Sequence, residues 1–278
     1  MNSVQSLALN VLVAGQGFPI LCLHGHPGSG SSLSVFTQHL SQKFLTLAPD
    51  LRGYGKSQTR TDFAIADHLQ DLEAVLDRCQ ISRCLVLGWS LGGIIALELA
   101  LRQPERVSGL ILVATAARPR SDHPTITWQD NINTGVASIL NRIKPGWQWN
   151  INTFGQRSLY RYLIQQHTPQ AYCHLAWEAL PAYLQTSTTA HRALAQALKV
   201  GYNRLEALAE IQCPCLVLAG ESDRHITAAA SWETARHLKH SDWICYPNTA
   251  HLFPWEIPAQ VCQDIDHWLE DHPEAVSY

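Results

Sequence analysis

The chain is poor in charge. Lys, Arg, Asp and Glu make up 15% of its 278 residues, and the formal net charge is −3. A balance this mild, with no block of basic residues, argues against nucleic acid as a partner. No apolar stretch reaches membrane-spanning length, so no membrane partner is expected either. The opening MNSVQSLALNVLVAGQG lacks the basic segment, apolar core and cleavage site of a signal peptide, which points to a cytoplasmic protein. The eight cysteines include no C-x-x-C pair, and CPC at 213–215 has no matching second pair. That spacing does not suit zinc, so the thiols read as reduced packing residues and no metal is expected. Internal repeats and low-complexity linkers are also missing.

What is present is a rhythm. Short apolar runs at 7–13, 20–23, 44–48, 84–87, 110–114, 215–219 and 243–246 read as strands. Helical patterns at 67–78, 91–102, 229–237 and 259–270 lie between or after them. Apolar strands alternating with helices predict a mostly parallel α/β sheet covered on both faces. The first two runs are joined by AGQGFP, a hairpin-like link, so the sheet is expected to begin antiparallel.

The rhythm stops after Ala114 and returns at CPCLVLAG. The intervening residues predict a helical insertion, with QRSLYRYLIQQH and TAHRALAQALKVGYNRLEALAEI as helix-like segments. The expected division is a core of 1–117 and 206–278 with a helical domain of 118–205. That domain holds nine Lys or Arg against three Asp or Glu, leaving the remainder of the chain strongly acidic. Such a surface is either simply solvated or draws in an anionic substrate or an acidic carrier.

A candidate site emerges from four loops. In CLVLGWSLGGIIALELA a serine, Ser90, stands between glycines where a strand turns into a helix. G-x-S-x-G is the pattern of a nucleophile elbow, although the pattern alone is weak. A serine nucleophile needs a base, a group to orient that base, and donors for an oxyanion. Reacting groups on such sheets gather beyond the carboxyl ends of the strands. Asp223, in GESD just past the strand at 215–219, is the candidate acid, with Glu221 its nearest competitor. His251, in NTAHLFPWEIP after the last strand, is the candidate base. His225 also follows Ser90, but lies only two residues from Asp223, a poor span for a separate base. The turn HGHPG at 24–28 follows a strand directly and can aim a backbone N–H into the site. The N–H of Leu91, at the start of the helix, is the second expected donor.

The ordered set HGHPG, DLRGYGKS, GWSLGG, GESD and NTAHLFPWEIP resembles the α/β-hydrolase superfamily over nearly the full chain. The resemblance implies Ser90 as nucleophile, Asp223 as triad acid, His251 as base, and His26 and Leu91 as backbone oxyanion donors. It implies that the insertion is a helical cap roofing the pocket, and that no cofactor is needed. His24, Asp50 and Arg52 read as structural. Ser90 stands where epoxide hydrolases and haloalkane dehalogenases carry Asp, which argues against both. GWSLGG is similar to the elbow of acyl-carrier-protein methyl ester esterases, although HGHPG is not typical of them. The expected activity is serine hydrolysis of a small or medium carboxylic ester, with thioester or lactone as variants. A carbon–carbon bond hydrolase, a cofactor-free perhydrolase and a slow-turnover receptor use the same residues. Trp89, Trp128, Trp147 and Trp177 are the candidate pocket walls, with Trp149, Tyr160, Tyr162 and Tyr172 nearby in sequence.

Overall fold

A computed structural model describes residues 6–277. Its centre is one seven-stranded sheet: β1 Val11–Ala14, β2 Pro19–Leu23, β3 Leu45–Pro49, β4 Cys84–Trp89, β5 Val107–Val113, β6 Cys215–Gly220 and β7 Ser241–Tyr246. The spatial order is β1-β3-β2-β4-β5-β6-β7. All pairings are parallel except β1 with β3.

The antiparallel start is therefore real, but the hairpin is not. β1 skips its sequence neighbour β2 and pairs with β3, from Val11 opposite Pro49 to Ala14 opposite Thr46. Burial explains the choice. Every residue of β2 is buried, so it needs a strand on each side, whereas β1 is mostly exposed and suits an edge. The link folds back onto the turn before β3. A Cβ on Gly15, whose φ is +79°, would collide with Phe44 O and Ser41 O.

Both faces are covered, and the strands show it residue by residue. In β4, Cys84 and Val86 belong to one apolar cluster, and Leu85 and Leu87 to the other. This is the period of two expected when successive side chains point to opposite faces. The first face packs against α2 Asp67–Arg78, α3 Leu91–Arg102 and α9 Ala228–His237. The second packs against α1 Ser34–Leu40 and α11 Pro258–Asp271. A short helix, α10 Phe253–Glu256, precedes α11.

Between β5 and β6 the described residues contain helices and no strand. They are α4 Trp128–Ile143, α5 Gln148–Thr153, α6 Pro169–His174, α7 Leu180–Leu184 and α8 Thr188–Val200. The expected helix over QRSLYRYLIQQH is broken. Ser158 is extended (ψ 179°) and separates two short 3-10 turns, Gly155–Arg157 and Leu159–Tyr162. The later helix-like segment also stops early, at Gly201 with φ +84°. The insertion returns to its root where Arg204 N–H donates to Ala117 O at 2.9 Å. Among the described residues, no helix is long and apolar enough to cross a membrane.

Candidate active site

The elbow is built from close approaches that only glycine permits. Ser90 follows β4 with φ 55° and ψ −115°, an unfavourable backbone for a residue bearing a Cβ. A Cβ on Gly92 would sit 2.1 Å from Leu23 O, and one on Gly88 2.4 Å from Gly92 O. The turn is then pinned from β5. Ser90 N–H donates to Val113 O at 2.9 Å, and Thr115 Oγ1 donates to Ser90 O at 2.7 Å. Thr115 carries no motif, so sequence reasoning passed over it.

The acid and base come from the next two strands outward. Asp223, 3% exposed, lies just past β6, and His251, 5% exposed, lies past β7. Asp223 Oδ2 is 2.8 Å from His251 Nδ1. The other oxygen, Oδ1, accepts the backbone N–H groups of His225 and Ile226 at 2.7 and 2.9 Å. The carboxylate is thus fixed in rotation before it meets the imidazole. Glu221, the rival acid, points elsewhere and accepts Asn248 N–H at 3.2 Å. His225 packs edge-on against His251, with ring centroids 4.7 Å apart. No hydrogen bond links Ser90 Oγ to His251 among the described residues. Catalytic hydrogen bonds are often long without substrate and tighten in the Michaelis complex.

The HGHPG turn faces the elbow through Gly25. A Cβ there would lie 3.0 Å from Ser90 Cβ and 3.2 Å from Trp89 O. His24 braces the turn. Leu51 N–H donates to its Nε2 at 3.0 Å, so Nδ1 carries the proton and donates to Gly25 O at 2.8 Å. Burial pushes the His24 imidazole down to about 4, which keeps this neutral tautomer at neutral pH. Asp50 supports the same turn by accepting Gly30 N–H at 2.8 Å, and Arg52 is engaged by Asp71. His26 Nδ1 meets Tyr54 OH at 2.8 Å, and its ring abuts His191 of α8 at 4.6 Å. Burial, with His191 beside it, pushes His26 down to about 3. Among the described residues, neither the His26 nor the Leu91 backbone N–H is taken by an acceptor of the chain.

A recess of about 570 Å3 reaches Asp223 from the surface. It lies between the insertion and the β6 loop, and Arg161, Tyr162, Gln165, Ser222 and Arg224 are among its walls. The tryptophans expected to wall a pocket are placed differently. Trp89 is buried between Phe36 and Trp255, at 6.0 and 5.2 Å. Trp128 and Trp177 are exposed on the outside of the insertion, and Trp147 lies beside exposed Trp149. Only Tyr162 of the neighbouring aromatics reaches the recess. Aromatic content alone carries no direction, and α4 turns its tryptophan end to solvent.

Glu256, within NTAHLFPWEIP, is a buried carboxylate that the sequence pattern does not single out. Its Oε1 accepts Ala250 N–H at 2.8 Å, and its Oε2 accepts the N–H groups of Gln165 (3.0 Å) and Gln166. One buried carboxylate thus joins the His251 loop to the insertion. Burial raises its carboxyl above the usual range, against the pull of those N–H groups.

The family model for the alpha/beta hydrolase fold matches residues 19–258. The chain belongs to the α/β-hydrolase family. The pimeloyl-[acyl-carrier protein] methyl ester esterase of Nitrosomonas europaea is 28% identical over 271 residues, covering 93% of this chain and 98% of that one. A thermophilic esterase from Thermogutta terrifontis superposes with a TM-score of 0.70 at 25% identity, covering 97% and 94% of the two chains. The enol-lactonase from Burkholderia xenovorans LB400 shares the fold, with a TM-score of 0.73 at 20% identity over 94% and 96%. The α/β-hydrolase relatives of this chain thus include ester-cleaving hydrolases.

Proposed function

We propose that the protein is a serine hydrolase of a small or medium carboxylic ester, working through an acyl-enzyme. The observation that carries this reading is the 2.8 Å contact between Asp223 Oδ2 and His251 Nδ1. It lies at the same edge of the sheet as the strained Ser90. In the proposed mechanism Ser90 Oγ attacks the acyl carbon while His251 Nε2 takes its proton. Asp223 holds the tautomer in which Nε2 is free to do so, and stabilises the imidazolium. The N–H groups of His26 and Leu91 receive the oxyanion. His251 then protonates the departing alcohol, and water, deprotonated by the same nitrogen, releases the acid. The helical insertion serves as the cap over this site.

A panel of p-nitrophenyl esters and alkyl thioesters of varied acyl length, with Ser90→Ala as the blank, tests the reading. Turnover that vanishes in the blank, with a fluorophosphonate labelling Ser90 alone, is the expected result. Labelling of another serine, or undiminished turnover in Ser90→Ala, refutes it. A fast burst without steady turnover identifies a slow receptor instead.

A second reading, an acyl chain presented on an acidic carrier protein, is favoured by the pimeloyl-[acyl-carrier protein] methyl ester esterases among the relatives. A methyl ester hydrolysed much faster on its carrier than free in solution supports it. Equal rates remove it.

A further inference from the structure

The insertion wears apolar side chains on its outside. Along α4, Trp128 (69%), Ile132 (55%), Ile139 (62%) and Ile143 (76%) are all exposed. At about 100° per residue these positions fall within roughly 60° of arc, a ridge some 22 Å long. Gly135 lies on the same line, and nothing stands within 4 Å of the space its Cβ would fill. The opposite side of α4 is the packed one, where Ala137 and Asn141 are buried. Such a ridge adds little to stability within the chain, because each of its apolar residues stays more than half exposed.

The ridge ends in a basic and aromatic cluster. The Arg142 guanidinium lies 4.2 Å over the Trp177 ring, and Lys144 lies 5.2 Å over Trp147, whose ring is tilted against that of Trp149 at 4.9 Å. Trp149 and Trp177 are themselves exposed. Arg142 and Lys144 have no acidic partner among the described residues. From residue 128 to 178 the acids are Asp130, buried and bonded to Arg161 at 2.6 Å, and Glu178, whose carboxylate is mostly buried and meets Ser34 and His174. The outer face therefore presents isoleucine, tryptophan and unpaired cations, with no free carboxylate.

We infer that this face docks on an anionic lipid surface. Tryptophan with arginine and lysine is the pairing that settles at a membrane–water boundary, the rings partly immersed and the cations at the headgroups. An amphipathic helix lying in the plane of the surface needs only a ridge of this kind, and no spanning segment. A second copy of the chain fits less well. A two-fold contact would set this patch against itself and so supply no carboxylate to pair with Arg142 and Lys144.

Cosedimentation of the full chain with vesicles tests this without any turnover, so its outcome is independent of the ester reading. The vesicles are phosphatidylcholine alone or phosphatidylcholine with phosphatidylglycerol. Binding is expected to the anionic vesicles, weakening with salt and shifting tryptophan emission to the blue. Ile139→Asp with Ile143→Asp should abolish it. Arg142→Gln with Lys144→Gln should weaken it roughly tenfold or more, while leaving neutral vesicles unaffected. All four positions are on the outer face of the insertion, and unchanged circular dichroism and melting confirm folding. Equal or absent binding to the two vesicle types overturns the inference, as does binding that survives the isoleucine variant. A parent dimer that the isoleucine variant dissociates assigns the face to a second copy instead. Binding of an acyl carrier protein there, with none to vesicles, assigns it to a protein partner.

Discussion

Asp223→Asn is an unusually clean perturbation, because the structure dictates which way the new amide must point. Asp223 Oδ1 is held by two backbone donors, the His225 and Ile226 N–H groups at 2.7 and 2.9 Å. Only an oxygen can stay there. The amide NH2 is therefore driven to the Oδ2 position, 2.8 Å from His251 Nδ1. An N–H donor facing Nδ1 forces that nitrogen to accept, and the imidazole proton moves to Nε2. The nitrogen proposed to take the Ser90 proton is then already occupied. Turning the amide over instead would set its NH2 against two N–H groups, at a cost of several kcal/mol. The expected loss in kcat is about 10⁴-fold, or about 5.5 kcal/mol of transition-state stabilisation. Stability should change little, since shape and backbone hydrogen bonds persist. Glu221→Gln is the control. Glu221 is exposed and accepts one N–H at 3.2 Å, which a glutamine carbonyl can also accept. Its kcat should stay within about twofold. Steady-state hydrolysis of p-nitrophenyl butyrate and urea melts of the three proteins decide the matter. A loss below about tenfold in Asp223→Asn, or an equal loss in Glu221→Gln, refutes the assignment of the acid.

Three further outcomes are expected. Gly25→Ala should cut kcat while leaving the fold intact, because its Cβ would stand 3.0 Å from Ser90 Cβ; unchanged kcat would show that the turn can shift freely. Glu256→Gln offers one acceptor oxygen where three N–H groups need two, and should cost about 1–3 kcal/mol of stability. Its kcat should fall with KM nearly constant, since Ala250 adjoins His251, and a melt identical to the parent would remove the brace. Acid should destabilise the protein through His24 and His68, both fully buried and pushed down by burial to about 4 and about 3. Below pH 6.5 the unfolded chain binds protons that these folded imidazoles refuse, so their contribution is full above 6.5 and shrinks as pH falls toward 4 and 3. The slope is at most about 1.4 kcal/mol per pH unit for each. Urea midpoints that stay flat from pH 7 to 4 would contradict it.

The strands were legible because a fully buried strand has little alternative to an unbroken apolar run. β2, β4, β5 and β6 are buried at every position, and each contains such a run, although β5 begins at Val107, three residues ahead of its run, with Ser108 and Gly109 between. Helix α2 was legible from its apolar spacing, and α3 from the glycine-flanked serine turn before it. The partner of β1 was not, because AGQGFP specifies a reversal and says nothing of which strand waits beyond it. For the candidate site, the loops after strands were the guide. They placed Asp223 and His251 within hydrogen-bonding reach of each other. What escaped were residues that act through backbone groups. Thr115 holds the Ser90 carbonyl and Glu256 holds three N–H groups, and neither task requires a recognisable pattern of side chains.

The insertion was the least legible part, and its charges explain why. Read as a list, its nine bases against three acids fit either a solvated surface or a field aimed at an anionic ligand. In three dimensions much of that excess is spent on the core. Arg118 and Arg120 share Glu233, Arg192 meets Asp62, and Arg204 meets Glu98. These pairs lie at the surface, where each contributes at most about 1 kcal/mol. Together they set the acidic core and the basic insertion in register. Arg157 and Arg161, four apart in sequence, do not share a helix face, because Ser158 interrupts the chain between them, and Arg161 is committed to Asp130. The cations left without partners include Arg142 and Lys144, both beside exposed tryptophans. Net charge is a sum, whereas recognition depends on the charges that remain once neighbours have cancelled. In this chain four of the insertion's cations, Arg142, Lys144, Arg157 and Lys199, have no acidic partner among the described residues, and none of them lines the recess at Asp223.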